Sequence, residues 1–129
     1  LDEEKMKDVN MIKIFIFTYV LSFLAAMLIQ FMVIHQYSVY SILADEPGIK
    51  DPSSEISLYL TDFIERFGNN FRTFKHGAFH GVLTGVFVAL PLIGINGMFE
   101  RRSFKYILIN TGFWTVSFAI MGGIICAFA

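Results

Sequence analysis

The residues from Ile14 to Ala44 read IFIFTYVLSFLAAMLIQFMVIHQYSVYSILA and include no Asp, Glu, Lys or Arg. Two later stretches, Gly77–Phe99 and Tyr106–Ala129, are also free of these four residue types. A helix needs roughly 20 apolar residues to cross the hydrocarbon core of a bilayer, and each stretch is long enough. Only 16% of the 129 residues are charged, which is too little to cover a water-soluble domain. The sequence therefore predicts an integral membrane protein.

The three apolar stretches predict helices and exclude the strands of a membrane barrel. Barrel strands are about 10 residues long and alternate apolar with polar residues, whereas these stretches are longer and do not alternate. Backbone groups in lipid must be satisfied within the segment, which a helix achieves. We therefore predict an all-α, polytopic transmembrane bundle that forms a single domain over residues 1–129. Its spanning helices are expected at residues 12–44, 73–99 and 104–128.

Residues 53–68 predict a fourth, amphipathic helix. Asp51 and Pro52 favour a helix start nearby, and Gly68 favours its end. Apolar side chains recur at intervals of three and four residues, which places them on one helix face: Ile56, Tyr59, Leu60, Phe63, Ile64 and Phe67. Such a helix either lies in the membrane interface or packs onto the spanning helices from outside. The two interpretations are compatible.

The basic residues near the ends of the spanning segments predict the orientation. One side carries Lys5, Lys7, Lys13, Arg101, Arg102 and Lys105. The other side carries Lys50, Arg66, Arg72 and Lys75, together with most of the acidic residues. Cytoplasmic segments are enriched in Lys and Arg, so the turn at residues 100–105 is expected in the cytoplasm.

Residues 76–85 read HGAFHGVLTG and carry two stripes with a spacing of four residues. The first stripe is Gly77, Gly81 and Gly85, which on a helix lets another backbone approach closely. The first spanning helix has a small-residue face that includes Ser22 and Ala26, and this face is complementary in kind. We expect both faces to serve helix packing.

The second stripe places His76, His80 and Thr84 side by side on the same helix. Two imidazoles four residues apart face the same way and could share a metal ion. His35 is expected near the same membrane edge, so a cluster of three histidines is possible, and Asn110 is a further candidate for a polar or ligand-binding site. In the alternative interpretation each histidine hydrogen-bonds a neighbouring helix or an interfacial water. Metal binding stays open, and no cofactor is clearly indicated.

A second polar group surrounds the turn between the last two spanning helices. Pro91 removes a backbone donor and is expected to kink the second spanning helix. Asn96 and Glu100 lie four residues apart, and Asn110 is expected to reach Asn96 across the hairpin. In one interpretation the group holds the last two spanning helices together through hydrogen bonds and a Glu–Arg pair. In the other it binds an anion or a lipid headgroup. The basic residues of the second interpretation are Arg101, Arg102 and Lys105.

Several of these segments together resemble a family of small bacterial membrane proteins, domain-of-unknown-function family 1761. The resemblance is carried by His76–Gly81, Pro91, Asn96, Phe99–Ser103, Ile109–Asn110 and Met121–Gly123. It implies a bacterial inner membrane and a further hydrophobic helix upstream, which makes four spanning helices with the N-terminus outside. The chain begins with Leu, so we expect residues before it. The resemblance implies no activity.

The functional hypotheses follow from what the sequence lacks. It has no phosphate-binding glycine loop, no paired carboxylates, no nucleophile with an adjacent base and no cysteine-rich metal motif, all of which disfavours an enzyme. A net charge of −1 disfavours a nucleic-acid partner. The first hypothesis is a structural or accessory subunit that packs with other membrane subunits or with itself in the lipid bilayer. The second is a binding or transport module for a small amphiphile, a metal or a proton, which would use the histidines.

Overall fold

The computed structural model describes residues 10–129, and each regular element in that range is a helix. The helices are α1 (Met11–Val33), α2 (Gln36–Leu43), α3 (Glu55–Phe67), α4 (Phe74–Phe99) and α5 (Phe104–Phe128). Helices α1, α4 and α5 are each long and apolar enough to cross a bilayer. The prediction of an all-α membrane bundle with three spanning helices is therefore confirmed. The polar lead-in with Lys5 and Lys7 lies outside the described residues.

The expectation of one continuous helix over residues 12–44 is wrong. Helix α1 ends at Val33, Ile34 adopts an extended conformation with φ −103° and ψ 92°, and α2 begins at Gln36. Ile34 is buried among the other helices, and the Gln30 side chain donates a hydrogen bond to the Tyr37 hydroxyl across the break. Tertiary contacts therefore favour the break, and a uniformly apolar composition cannot reveal it.

The amphipathic helix α3 begins at Glu55 and not at residue 53. The Ser54 hydroxyl accepts a hydrogen bond from the Ser57 amide and caps the helix. The Asp51 carboxylate instead accepts hydrogen bonds from the amide and the hydroxyl of Ser53, at 2.9 and 2.7 Å, which forms a turn before the helix. Either residue type can cap a helix, so the sequence did not distinguish them.

Helix α3 is attached to the bundle at its C-terminal end and does not pack along any spanning helix. The Gln36 side chain donates hydrogen bonds to the carbonyls of Gly68 and Asn70, at 2.8 and 3.0 Å. This amide therefore links the end of α3 to the start of α2. A gap remains between the apolar face of α3 and α2, and it forms a pocket.

The main packed unit is the antiparallel hairpin of α4 and α5. The stripe Gly77, Gly81 and Gly85 faces α5, where a Cβ atom at Gly81 would lie 2.6 Å from the Cα atom of Ala119. A Cβ atom at Gly85 would likewise lie 2.6 Å from the Cα atom of Thr115. Because backbone atoms cannot withdraw as side-chain ends can, the close approach of the two helices requires glycine.

Helix α4 contains a π-helical turn over Gly85–Ala89, directly before Pro91. A proline inside a helix has no amide hydrogen, and its ring clashes with the carbonyl four residues earlier. A widened turn moves that carbonyl outward. The π-turn therefore accommodates Pro91 from the preceding turn, while the kink expected at Pro91 stays a prediction.

Candidate metal-binding site

The three histidines of the chain come from two parts of the fold. His35 occupies the break between α1 and α2, outside either helix. His76 and His80 lie on successive turns at the start of α4, and the Thr73 hydroxyl caps that helix by accepting a hydrogen bond from the His76 amide. The break in the first apolar stretch thus brings His35 to the other two side chains.

The three imidazoles form a compact cluster. The Nε2 atoms of His35 and His76 are 2.9 Å apart, and one ring nitrogen from each of the three side chains lies within 4.8 Å of the other two. Tetrahedral zinc with Zn–N bonds of about 2.0–2.1 Å holds its nitrogen ligands roughly 3.3 Å apart. Small side-chain rotations would bring the cluster to that geometry. His35 is exposed, while His76 and His80 are half-buried.

Phe71 adjoins the cluster in an unusual backbone conformation. Its φ angle is 64°, in the left-handed region that costs a bulky residue roughly 1–2 kcal/mol. Its ring centroid lies 5.0 Å from that of His76 and 5.9 Å from that of His35. Its carbonyl accepts a hydrogen bond from the Cys126 thiol at 3.2 Å. Sequence reasoning missed Phe71, because the adjacent Asn70 is the residue type that more often adopts this conformation.

The loop beside the cluster is positively charged. The Arg72 guanidinium donates a hydrogen bond to the Cys126 carbonyl at 3.2 Å, near the end of α5. The positive guanidinium is stabilised at this position, since a helix C-terminus carries partial negative charge. Lys75 lies beside His76 in the wall of a shallow surface pocket. Two cationic side chains therefore lie near the histidines, Arg72 from this loop and Lys75 from the first turn of α4.

A second pocket of about 290 Å³ opens next to His35. Its lining residues come from the break before α2, from α2 and α3, and from the loop after α3: His35, Gln36, Val39, Phe63, Phe67, Asn70 and Phe71. Most of this surface is apolar. His35 belongs to both the pocket wall and the histidine cluster. Phe71 also lines the pocket and contacts the cluster, so the two features are continuous.

Thr84 and Asn110 do not join the histidines. The Thr84 hydroxyl donates to the His80 carbonyl at 2.9 Å and is buried against the Met32 sulfur. Asn110 lies at the other end of the hairpin, where its side-chain amide donates to the Tyr106 carbonyl. Asn110 lies far from the histidines because α4 and α5 are antiparallel, which places the start of α5 beside the end of α4. The glycine stripe also faces α5 rather than Ser22 and Ala26, which are half-buried on α1.

The second polar group lies at the end of the hairpin opposite the histidines. Asn96, Glu100 and Asn110 line one pocket of about 220 Å³ together with Tyr106 and Trp114. The Arg102 guanidinium lies 3.1 Å from the Glu100 carboxylate and 5.4 Å from the centre of the Tyr106 ring. Arg101, Arg102 and Lys105 are all exposed around the turn.

These features define a small polytopic helical membrane protein with three clustered histidines at one end of its bundle. The chain belongs to the family described as "Protein of unknown function (DUF1761)", whose model matches residues 1–126. The resemblance found in the sequence is thereby confirmed. No curated protein and no solved structure is similar enough to this chain to count as a match.

Proposed function

We propose that this membrane protein binds a divalent transition-metal ion, with zinc as the best fit, through His35, His76 and His80. The observation that carries the proposal is the mutual distance of the three ring nitrogens, all within 4.8 Å. Imidazole nitrogen is a favoured ligand of zinc and of neighbouring transition metals. Two of the ligands lie four residues apart on one helix, the spacing that directs two imidazoles toward one ion.

Three histidines leave one coordination position of a tetrahedral ion free. Sites with three protein ligands and one exchangeable ligand are those that bind water or a small molecule, whereas structural zinc sites use four protein ligands. The ligands are neutral, so the ion keeps its full positive charge. This composition supports reversible binding of an anionic ligand at the free position.

We propose further that the histidine cluster faces the outside of a bacterial inner membrane, with the turn at residues 100–105 in the cytoplasm. In the sequence, six basic residues flank the spanning segments on the side of this turn and four flank them on the other side, and this excess supports the orientation: Lys5, Lys7, Lys13, Arg101, Arg102 and Lys105 against Lys50, Arg66, Arg72 and Lys75. A Ser103→Cys variant in a Cys126→Ala background should react with a membrane-impermeant thiol reagent only after the cytoplasmic side is exposed. Labelling in intact cells would contradict the orientation.

Retention of zinc by the purified full chain tests the metal site. Protein freed of metal, incubated with zinc and passed through a desalting column should retain about one ion per chain, as measured by elemental analysis. His80→Ala should lower the affinity by more than the roughly 100-fold that losing a supporting residue can cost. Asn110→Ala is the matched control, since this polar side chain lies at the opposite end of α5.

Two results would contradict the metal site. One is a wild-type chain that retains no zinc, which would leave the 2.9 Å contact of His35 and His76 as a hydrogen bond between helices. The other is zinc retention that is unchanged in His35→Ala, His76→Ala and His80→Ala alike.

A second candidate function is that of a subunit in a larger membrane assembly, including one made of copies of this chain. The observation that favours it is the exposure of α1, whose buried residues Ile29 and Val33 both lie in its last two turns. Ser22 is only half-buried on this spanning helix. A Ser22→Cys variant in a Cys126→Ala background should form cross-linked species in native membranes. A chain that stays monomeric at every cross-linker length would contradict this role.

A further inference from the structure

The pocket beside His35 has the composition of a ligand site, and α3 forms one wall of it. Val39, Phe63 and Phe67 supply apolar surface. The polar lining residues are His35 from the break before α2, Gln36 from the start of α2 and Asn70 from the loop after α3. The Gln36 amide is already engaged by two backbone carbonyls. Among the lining residues, His35 is the one that also belongs to the histidine cluster, so it joins the pocket to the proposed metal site.

The charge around the pocket favours an anion. None of the described residues that line this pocket or the shallow pocket beside His76 is acidic. Lys75 lines the shallow pocket beside His76, and Arg72 lies in the loop before α4. A metal ion on three neutral imidazoles adds further positive charge. These positive charges attract an anionic ligand, and the attraction is stronger where water is partly excluded.

The size of the pocket limits the ligand. A volume of about 290 Å³ is at the lower end of the range for small-molecule sites. It accommodates roughly ten heavy atoms, if each takes about 30 Å³, the share of a water molecule in the liquid. The apolar lining requires that most of these atoms be carbon. A carboxylate with an alkyl chain of medium length meets both requirements.

We infer that the pocket between α2 and α3 binds a medium-chain carboxylate whose carboxylate group occupies the free position of the metal ion. The alkyl chain lies against Val39, Phe63 and Phe67, while His35 connects the apolar pocket to the ion. This inference rests on the proposed metal site. Helix α3 is held at its C-terminal end and not along its length, so it can move outward to admit the chain.

The test uses the full chain in lipid nanodiscs, loaded with cobalt(II) in place of zinc, because the visible absorption of cobalt reports its ligands. Octanoate should change the cobalt spectrum at a concentration at least roughly tenfold lower than acetate, since burial of even two of its additional methylenes gives about that factor. Val39→Phe fills the pocket and should abolish this preference while cobalt binding and the response to acetate persist. Phe113→Ala is the matched control, because Phe113 is exposed on α5 away from the pocket.

The outcomes separate the two proposals. If the chain shows no cobalt spectrum, the metal site itself fails, and the inference fails with it. If cobalt binds but octanoate acts no better than acetate, the pocket inference alone is overturned. It is also overturned if Val39→Phe keeps the octanoate preference, because partition of octanoate into the lipid would then explain the response.

Discussion

The two ends of the α4–α5 hairpin each hold a non-glycine residue in the left-handed conformation, and they use it differently. At the turn between the helices Arg101 has φ 54°, and its amide donates to the Met98 carbonyl while the next amide donates to the Gly97 carbonyl. These two bonds close the end of α4 through backbone groups alone. At the other end Phe71 has φ 64°, and both its carbonyl and its ring have partners.

The difference shows what each strained residue contributes. Any residue could close the turn at Arg101, and glycine would do so without strain. The conformation of Phe71 places its backbone carbonyl beside a thiol and its ring beside two histidines, and glycine could not supply the ring. Backbone strain that persists beside clustered ligand atoms is typical of functional sites. Strain in an exposed turn reflects the local chain geometry.

The largest expected effect is the loss of the hairpin that joins the two ends. Gly81→Ala places a Cβ atom against the Phe118 carbonyl and 2.6 Å from the Ala119 Cα atom, so the helices must separate. We expect the free energy of unfolding to fall by about 3 kcal/mol, the upper range for overpacking. Denaturant titration in detergent measures it.

The matched control for that substitution is Gly94→Ala on the same helix, where the nearest atom lies 4.0 Å from the added Cβ atom. Alanine has the higher helix propensity, so this variant should be neutral or more stable by up to about 1 kcal/mol. Equal destabilisation by both substitutions would contradict the close approach of α4 and α5.

Zinc should stabilise the folded chain through the histidine end of the hairpin, independently of the turn at Arg101. At a free concentration 100 times the dissociation constant, a ligand that binds only the folded chain adds about 2.7 kcal/mol to the free energy of unfolding. His80→Ala should abolish this gain, and Arg102→Ala, at the other end, should retain it. Thermal unfolding with and without zinc measures both. Loss of the gain in both variants would mean that the ion acts elsewhere.

Substitution by glycine should affect stability differently at the two residues with left-handed backbone conformations. Arg101→Gly removes the strain and should raise the free energy of unfolding by up to about 1 kcal/mol, since relief of strain exceeds the added entropy of the unfolded chain. Phe71→Gly also loses the ring contacts, so it should give no gain and should weaken zinc binding. A stabilised Phe71→Gly variant with unchanged zinc affinity would remove the distinction between the two ends.

The smallest effect concerns the turn before α3. Hydrogen bonds from the Ser53 side chain and backbone lower the pKa of the Asp51 carboxyl below its ordinary value. A carboxyl with a lowered folded-state pKa stabilises the turn above its unfolded pKa, and this contribution is lost as the pH falls through the lowered value. The pKa measured by NMR should rise in Ser53→Ala. An unchanged pKa would show that the turn is not held by these bonds.

Much of the fold was predictable because long uncharged stretches have few solutions in lipid. The starts of α4 and α5 follow from caps and polar turns, with Thr73 before α4 and Ser103 before α5. The break at Ile34 was not predictable, because buried tertiary contacts decide it and the surrounding residues are all apolar. The same limit applies to the pocket, which depends on where α3 lies.

The site was predictable only in part, for a related reason. The spacing of His76 and His80 on one helix is visible in the sequence, and the place of His35 follows from a span of the right length. The separation of Asn110 from the histidines depends on the antiparallel pairing of α4 with α5. Phe71 offers no sequence signal, since its backbone conformation is imposed by the loop it closes.

The buried contact of α1 with the hairpin is made by Ile29 and Val33 in its last two turns and by Ile34, and His35 follows directly after it. The rest of α1 is free to tilt in the bilayer, and tilt depends on the thickness of the hydrocarbon core. We therefore expect a change of bilayer thickness to act on α1 at the end where it joins His35, and so to reach the histidine cluster through this helix.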